Sequence, residues 1–349
     1  MRNNKKKMIL VSILIVSLIL LVAAGFANAA VMSGYTAFEQ GIINTLNLRN
    51  ATINMTATLS INGSHVQDED GNFTVKADLD NKMIYDKSSN GIGAGQQYTD
   101  EHYYTADKQI TIYNGGNPRV ANNSDQKFDS ITNFPPQAIT VAQIMVDALS
   151  GNAKDYFNIA DNSDGGKTVT ANLTAEQMPD IVDAAANLAI SMPGRAADEA
   201  YVPNGLDTPY EALGNKIQYG FIKQAKVMAV NISAALDKDG NLTFGQIDVT
   251  INFTDQNGAV DIVAATVSCT VTDIGTTRIT PPNVSESSNA PGASATPRPT
   301  ADPLGAASSQ LKYTQSQVGK SDKLTDAQKA QINDLFNQIG QIINDAKAQ

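Results

Sequence analysis

The stretch Tyr98-Thr-Asp-Glu-His-Tyr-Tyr104 holds the residue types best suited to chemistry. In an extended strand, side chains alternate between faces, so Tyr98, Asp100, His102 and Tyr104 would share one side. A carboxylate beside an imidazole can move a proton or begin a metal site. The only other histidine is His65, and no ligand pair stands at the spacing of a known metal motif. Neither a metal nor a cofactor is therefore expected. An extracellular hydrolase or metal-dependent enzyme using Asp100 and His102 stands as the alternative reading. A wet strand face with aromatic cross-strand pairs explains the same residues without chemistry. The chain has no Gly-x-Ser-x-Gly elbow, phosphate loop or dinucleotide fingerprint. Gly91 to Gly95 reads GIGAG, but no strand-to-helix crossover follows it, so a loop is expected. The lone Cys269 lies in an alternating run and reads as a small core hydrophobe. The leading expectation is a protein that is not an enzyme.

Two further stretches invite a calcium reading: DEDGN at 68–72 and DKDGN at 237–241. A helix–loop–helix calcium loop needs ligands at positions 1, 3, 5 and 12, with glycine at 6. With Gly71 at position 6, positions 1 and 12 are Val66 and Ala77. With Gly240 there, they are Ala235 and Gln246. Both registers fail at both ends. Asp-Gly between alternating apolar runs is instead a hairpin signal, because glycine tolerates positive φ.

The surrounding elements are mostly strands. Tyr35 to Leu46 carries Phe38, Ile42, Ile43 and Leu46 at helical spacing. From Ala51 to Ile61 every odd position is apolar and every even one is Thr, Asn or Ser, the pattern of a half-buried strand. Shorter strands follow over 73–79, 82–87, 97–105 and 109–113, as an antiparallel meander with one wet face. A helix is expected over Ala138 to Leu149, then a strand over Lys167 to Leu173. Thr174 to Gln177 forms a capping-box pattern ahead of a helix with Met178, Ile181, Val182 and Leu188 on one side. Long strands over 225–236, 242–253 and 260–271 close the body. A helix thus precedes a strand–DxDGN–strand unit in each half.

This order resembles the lipoprotein-carrier superfamily. The resemblance rests on NATINMTATLSING, VTANLTAEQMPDIVDAAANLA and NLTFGQIDVTINFTDQNGAVDIVAATVSCTVTDIG, and it spans about residues 35 to 280. It implies an α+β fold: a strongly curved antiparallel sheet, a half-open barrel, with helices on its concave face. It also implies a cavity for acyl chains between sheet and helices. On this chain that cavity would lie between Ile53, Met55, Leu59 and Val75 on the sheet and Met178, Ile181, Val182 and Leu188 on the helix.

Composition adds organisation and compartment. Arg2 and Lys5 to Lys7 precede an apolar run over residues 8–25, and Ala27-Asn28-Ala29 suits signal peptidase. Residues 1–30 read as a signal peptide or an N-terminal membrane anchor, and 31–280 as the exported body. That makes the protein extracytoplasmic, secreted or held at the cell membrane. Residues 281–309 read as a Pro/Ser/Ala-rich linker. Residues 310–349 read as an amphipathic helical tail. Its stripe of Ile332, Leu335, Phe336, Ile339, Ile342 and Ile343 must be covered, either by docking back on the body or by a protein partner or self-association. The net charge of −10 argues against nucleic acid and against anionic membrane surfaces. Asn-x-Ser/Thr sequons recur at Asn50, Asn54, Asn62, Asn72, Asn122, Asn172, Asn231, Asn241, Asn252 and Asn283; abundant strand Asn and Thr account for them without glycans.

Together these features lead to an exported, non-enzymatic cell-envelope protein that binds an apolar, lipid-like ligand or acts as a sensor or scaffold. The first test is the compartment. N-terminal sequencing of the native protein should find Ala30 if the segment is cleaved and Met1 if it is an anchor.

Overall fold

In a computed structural model, the described residues are 33–66, 70–91, 97–122, 151–191, 209–218, 221–284, 303–321 and 324–347. The export segment, the helix expected at Ala138–Leu149, most of GIGAG and Asp68-Glu69 lie outside them. The described elements, in chain order, are α1 (Gly34–Leu46), β1 (Asn50–Ile61), β2 (Ser64–His65), β3 (Gly71–Asp78), β4 (Met83–Gly91), β5 (Gln97–Tyr104), β6 (Lys108–Tyr113) and β7 (Arg119–Asn122). A 3-10 turn (Gly151–Tyr156) then leads into β8 (Phe157–Asp161), β9 (Lys167–Thr174), α2 (Asp180–Ser191) and α3 (Pro209–Gln218). The chain continues through β10 (Ile222–Leu236), β11 (Leu242–Asp255), β12 (Val260–Thr272), α4 (Pro303–Lys320) and α5 (Asp326–Lys347).

One open antiparallel sheet of 12 strands holds the fold, in the order β7-β6-β5-β4-β3-β1-β12-β11-β10-β9-β8, with β2 beside β1. Among the described residues few helices accompany it, and the class is α+β. The alternation read from sequence sets its two faces. Ile247, Val249, Ile251 and Phe253 of β11 are buried, while Gln246, Asp248, Thr250 and Asn252 between them are not. The opposite, wet face carries a row that crosses nine strands: Asn158, Thr170, Ser233, Gln246, Ser268, Thr56, Asn72, Ser89 and Thr99. Every member is an uncharged hydroxyl or amide residue and none is buried. The sequon asparagines Asn54, Asn72, Asn172, Asn231 and Asn252 lie on this same face, because Asn and its Thr or Ser two residues on share one side of a strand.

The two DxDGN stretches play different parts. Asp237 to Asn241 joins β10 directly to β11. The Asp237 carboxylate accepts from the amides of Asp239 (2.9 Å) and Asn241 (2.8 Å), and Gly240 takes φ +79°. In the first half, Asn62 (φ 52°) and Gly63 (φ 79°) make the tight turn after β1, while Gly71 and Asn72 of DEDGN already belong to β3. The parallel between the halves is therefore looser than the shared letters imply.

The helices cover the apolar face of the β8–β12 end. Ser33 caps α1 by accepting from the Thr36 amide at 3.1 Å. Phe38, 2% exposed, then enters the core with Tyr35 and Ile42. Gly34 is needed because a Cβ there would stand 2.7 Å from the Phe157 carbonyl. Helix α2 begins at Asp180 rather than at the Thr174 capping pattern. Gln177 does accept from the Thr174 amide (2.9 Å), but within the turn that leaves β9.

Helix α2 is fastened to β10 by polar contacts. Strand β9 pairs with β10 only over Ala229 to Leu236. Beyond that, Asn187 donates to the Ala225 carbonyl (2.7 Å) and accepts from its amide (2.9 Å), while Asp183 accepts from the Val227 amide (2.8 Å). Two helix side chains thus serve backbone groups that a strand would otherwise pair.

The C-terminal region shifts one expected boundary and selects between two expected uses of the tail helix. Helix α4 starts at Pro303, inside the stretch read as linker to Ser309. It packs with α5 as a helical pair that docks on α2. Of the uses open to the stripe, docking on the body is the one it takes. Ile332, Leu335, Ile339 and Ile343 are buried in the same core as Ile181 and Val182, and Phe336 packs against it. Ile342 is half-buried. The apolar face is covered because α4 and α2 supply the area that a second protein would have supplied. Thr325 and Gln328 cap α5 reciprocally, amide to side chain in both directions (3.0 and 3.3 Å).

Two outcomes follow from these contacts. Asn187→Ala strands both polar groups of buried Ala225 and should cost about 2–4 kcal/mol in urea unfolding. Ile339→Ala should cost about 2–4 kcal/mol by the same measurement if α5 belongs to the core.

Candidate functional site

The core face of the sheet changes character along its width. At the β8–β12 end, its residues are almost all buried and apolar. Further along, the strand register extends two rows from β1 toward β7. One runs Ile53, Val75, Asp86, His102, Thr111, Arg119. The other runs Met55, Phe73, Ser88, Asp100, Tyr113. Each begins on apolar side chains and ends on polar ones. Ile53, Met55, Phe73 and Val75 are half-buried rather than buried.

The ligand residues expected from sequence are therefore divided. Leu59, Ile181, Val182 and Leu188 are buried in the main core, with Met55 and Met178 packed against it. Ile53 and Val75 lie outside that cluster. The reason is strand order. Helix α2 packs on β10, and β12 and β11 stand between β10 and β1. At ~4.8 Å per strand, β1 is ~14 Å from the strand that α2 covers. Leu59 nevertheless shares one core with Ile181, Val182 and Leu188, while Ile53 and Val75 stand outside it.

From β4 to β6 both faces become mixed in polarity, with buried Ile84 on the core face and a Lys87–Glu101 ion pair (3.3 Å) on the other. The face that carries Val and Ile elsewhere carries Asp86, Ser88, Asp100, His102 and Thr111. The opposite face receives Tyr85, Tyr103, Ile110 and Ile112. The Tyr85 and Tyr103 rings meet at 4.8 Å between centroids, and Ile110 is fully buried. Tyr98, Asp100, His102 and Tyr104 share one face, as alternation requires. It is the continuation of the core face rather than the outer, wet one.

Asp86 and His102 are direct cross-strand neighbours. His102 Nδ1 lies 3.0 Å from Thr111 Oγ1, and Thr111 is itself buried. The imidazole stacks near Tyr104 (6.1 Å) and meets Tyr113 edge-on (6.4 Å). Burial holds the Asp86 carboxyl above its ordinary range; the nearby His102 and the Tyr104 hydroxyl pull it back, and Asp100 pushes it further up. Burial first, then the charge of Asp86, pushes Tyr104 up to about 12. Asp100 Oδ1 is buried without a hydrogen-bond partner. His102 thus faces Asp86 and Thr111, and sequence reasoning singled out Asp100 while missing Asp86. The signal for Asp86 was an aspartate at an inward position of the strand that begins after Asp80-Asn81. Among the described residues, no group of three or more His, Cys, Asp or Glu is placed to hold a metal ion.

The other chemical candidates sit in structural roles. Cys269 is buried, and burial raises its thiol above the usual range. His65 is 3.1 Å from the Asp70 carboxylate beside β2. No described helix is long and apolar enough to cross a membrane.

No family model matches the chain, and no curated protein does. Among solved structures, a LolA superfamily protein from Nitrosomonas europaea is similar at 8% identity, over 68% of this chain and 93% of that one, with a TM-score of 0.17. At that score the two chains do not superpose as wholes. The fold described above rests on the strand pairing alone.

Asp86 offers a pH test with a definite sign. Its carboxyl is raised by folding, so the ionised form opposes folding at pH above that raised value and is neutral in effect below the ordinary carboxylate range. Asp86→Asn should match or exceed the parent in thermal midpoint at pH 7. The difference should vanish in scans run below about pH 4.

Proposed function

We propose that the protein is an exported, non-enzymatic binder that holds an apolar, lipid-like ligand on the half-covered part of its core face. One observation carries this reading. Ile53, Met55, Phe73 and Val75 are mutually adjacent, apolar and only half-buried, on a face whose other half is closed core. Apolar surface of this kind gains about 25 cal/mol per Å² when water is removed from it. Buried Leu59 forms the closed end, where β1 enters the main core. The basic and apolar N-terminal pattern supports a place outside the cytoplasm, in or near the cell envelope.

The arrangement gives little support to hydrolysis. Asp100 and His102 are next-but-one along β5, and the carboxylate directly across from the imidazole is Asp86. The hydroxyl 3.0 Å from His102 belongs to buried Thr111, which leaves it poorly placed to attack a substrate.

Native mass spectrometry of the protein purified without detergent tests the proposal. A co-purifying amphiphile, released when the chain unfolds, is the expected result. A chain that is consistently free of bound mass, and that takes up no fatty acid, alcohol or amine with a long alkyl tail, would point instead to a scaffold or sensor. Val75→Asp should lower uptake at least tenfold, because it sets a charge in the middle of the apolar strip.

A further inference from the structure

The same face holds more than an apolar strip. The row Ile53–Val75 continues directly into Asp86 and His102, and the row Met55–Phe73 into Ser88 and Asp100. Only about 10 Å, two strand spacings, separates β3 from β5. A ligand lying across the strands would keep its tail over β1 and β3 and its head over β4 and β5. We propose that this polar end is a headgroup site for an ammonium group, so that the ligand is a long-chain amine amphiphile. The inference rests on the apolar-ligand reading and names its substrate class.

The chemistry of the polar end selects that group. Asp86 and Asp100 supply carboxylates, and His102, Tyr104 and Tyr113 supply ring faces and edges around them. Carboxylates with aromatic walls are what a cationic nitrogen needs once it loses water. The Tyr98 hydroxyl donates a hydrogen bond to the Asp100 carboxylate, whose Oδ1 is buried and lacks a hydrogen-bond partner, an arrangement that a folded protein tolerates where a ligand completes the set. Burial also raises Asp86, and a bound cation would offset that cost. Among the described residues, the cation in these rows is Arg119, at the far end of the Asp86 row. Its guanidinium lies over the Tyr113 ring at 5.3 Å, and no ion pair joins it to Asp86 or Asp100. Tyr98, beside Asp100, is the remaining titratable group. An anionic head would meet two carboxylates here and a single cation set to one side.

Calorimetric titration of the full chain with dodecylamine, dodecanol, dodecanoate and butylamine tests the inference. Dodecylamine should bind at least about tenfold tighter than dodecanol or dodecanoate, the scale of one charge-assisted hydrogen bond. Butylamine should bind far more weakly, because it lacks a tail. In Asp86→Asn and Asp100→Asn the amine-to-alcohol preference should fall about tenfold, with folding checked by circular dichroism. If all three dodecyl compounds bind alike, the ammonium site is wrong and the apolar reading survives. If dodecanoate binds best, the assigned charge preference is reversed and the inference falls. If none binds, both fail. Equal affinity for butylamine and dodecylamine would also overturn it, since the two-part site requires the tail.

Discussion

The Asn187–Ala225 contact holds together parts of the chain that otherwise have no reason to meet. Strand β10 runs past the end of its neighbour β9, and its exposed backbone groups would be left in a nearly dry interior. An asparagine side chain offers one donor and one acceptor at the spacing of a peptide group, so it can stand in for the missing strand. Asp183, one turn earlier on α2, does the same for Val227. With α2 seated, its outer side can receive α4 and α5, and the C-terminal stripe has a place to bury. Coverage of half of the sheet's apolar face thus depends on a short polar seam.

The other half lacks that cover among the described helices, and there the sheet behaves differently. Alternation continues, but both faces mix polar and apolar residues between β4 and β6. A carboxylate on an inward face is costly unless something compensates for lost hydration. Asp86 has His102 and Tyr104 beside it, while Asp100 keeps one oxygen unmatched. Such groups at the end of an apolar strip are what a two-part binding surface for an amphiphile requires. The opposite face of the sheet follows a simpler rule. Its hydroxyl and amide row crosses nine strands without a charge, although the chain as a whole is strongly acidic.

Most of the long strands were legible because period-2 alternation is strong in β1, β10, β11 and β12. The helices at 34–46 and 326–347 were legible from apolar spacing. Strands β7 and β8 and helix α3 were not, since four- to ten-residue segments with mixed polarity carry too weak a period. Helix α4 was hidden by composition: Pro, Gly, Ser and Ala suggest a linker, and only packing against α5 gives that stretch a helical role. The candidate site was half legible. Ile53, Met55 and Val75 were recognised as apolar and inward, and Asp100 and His102 as sharing a face. Asp86 was missed because its significance lies in the strand opposite.

The local sequence by itself determined strand periodicity, the turn chemistry at Asn62-Gly63 and Asp237 to Asn241, the cap at Thr325 and the amphipathic character of α5. Each depends on interactions within a few residues. Tertiary structure alone decided which strands became neighbours, and so which rows formed across them. It set Ile181, Val182 and Leu188 into the main core, and of the uses open to the C-terminal stripe it took the contact within the chain. It also brought Asp86 opposite His102. Those outcomes depend on pairings between residues far apart in the chain, where local propensity has no influence and register sets every contact.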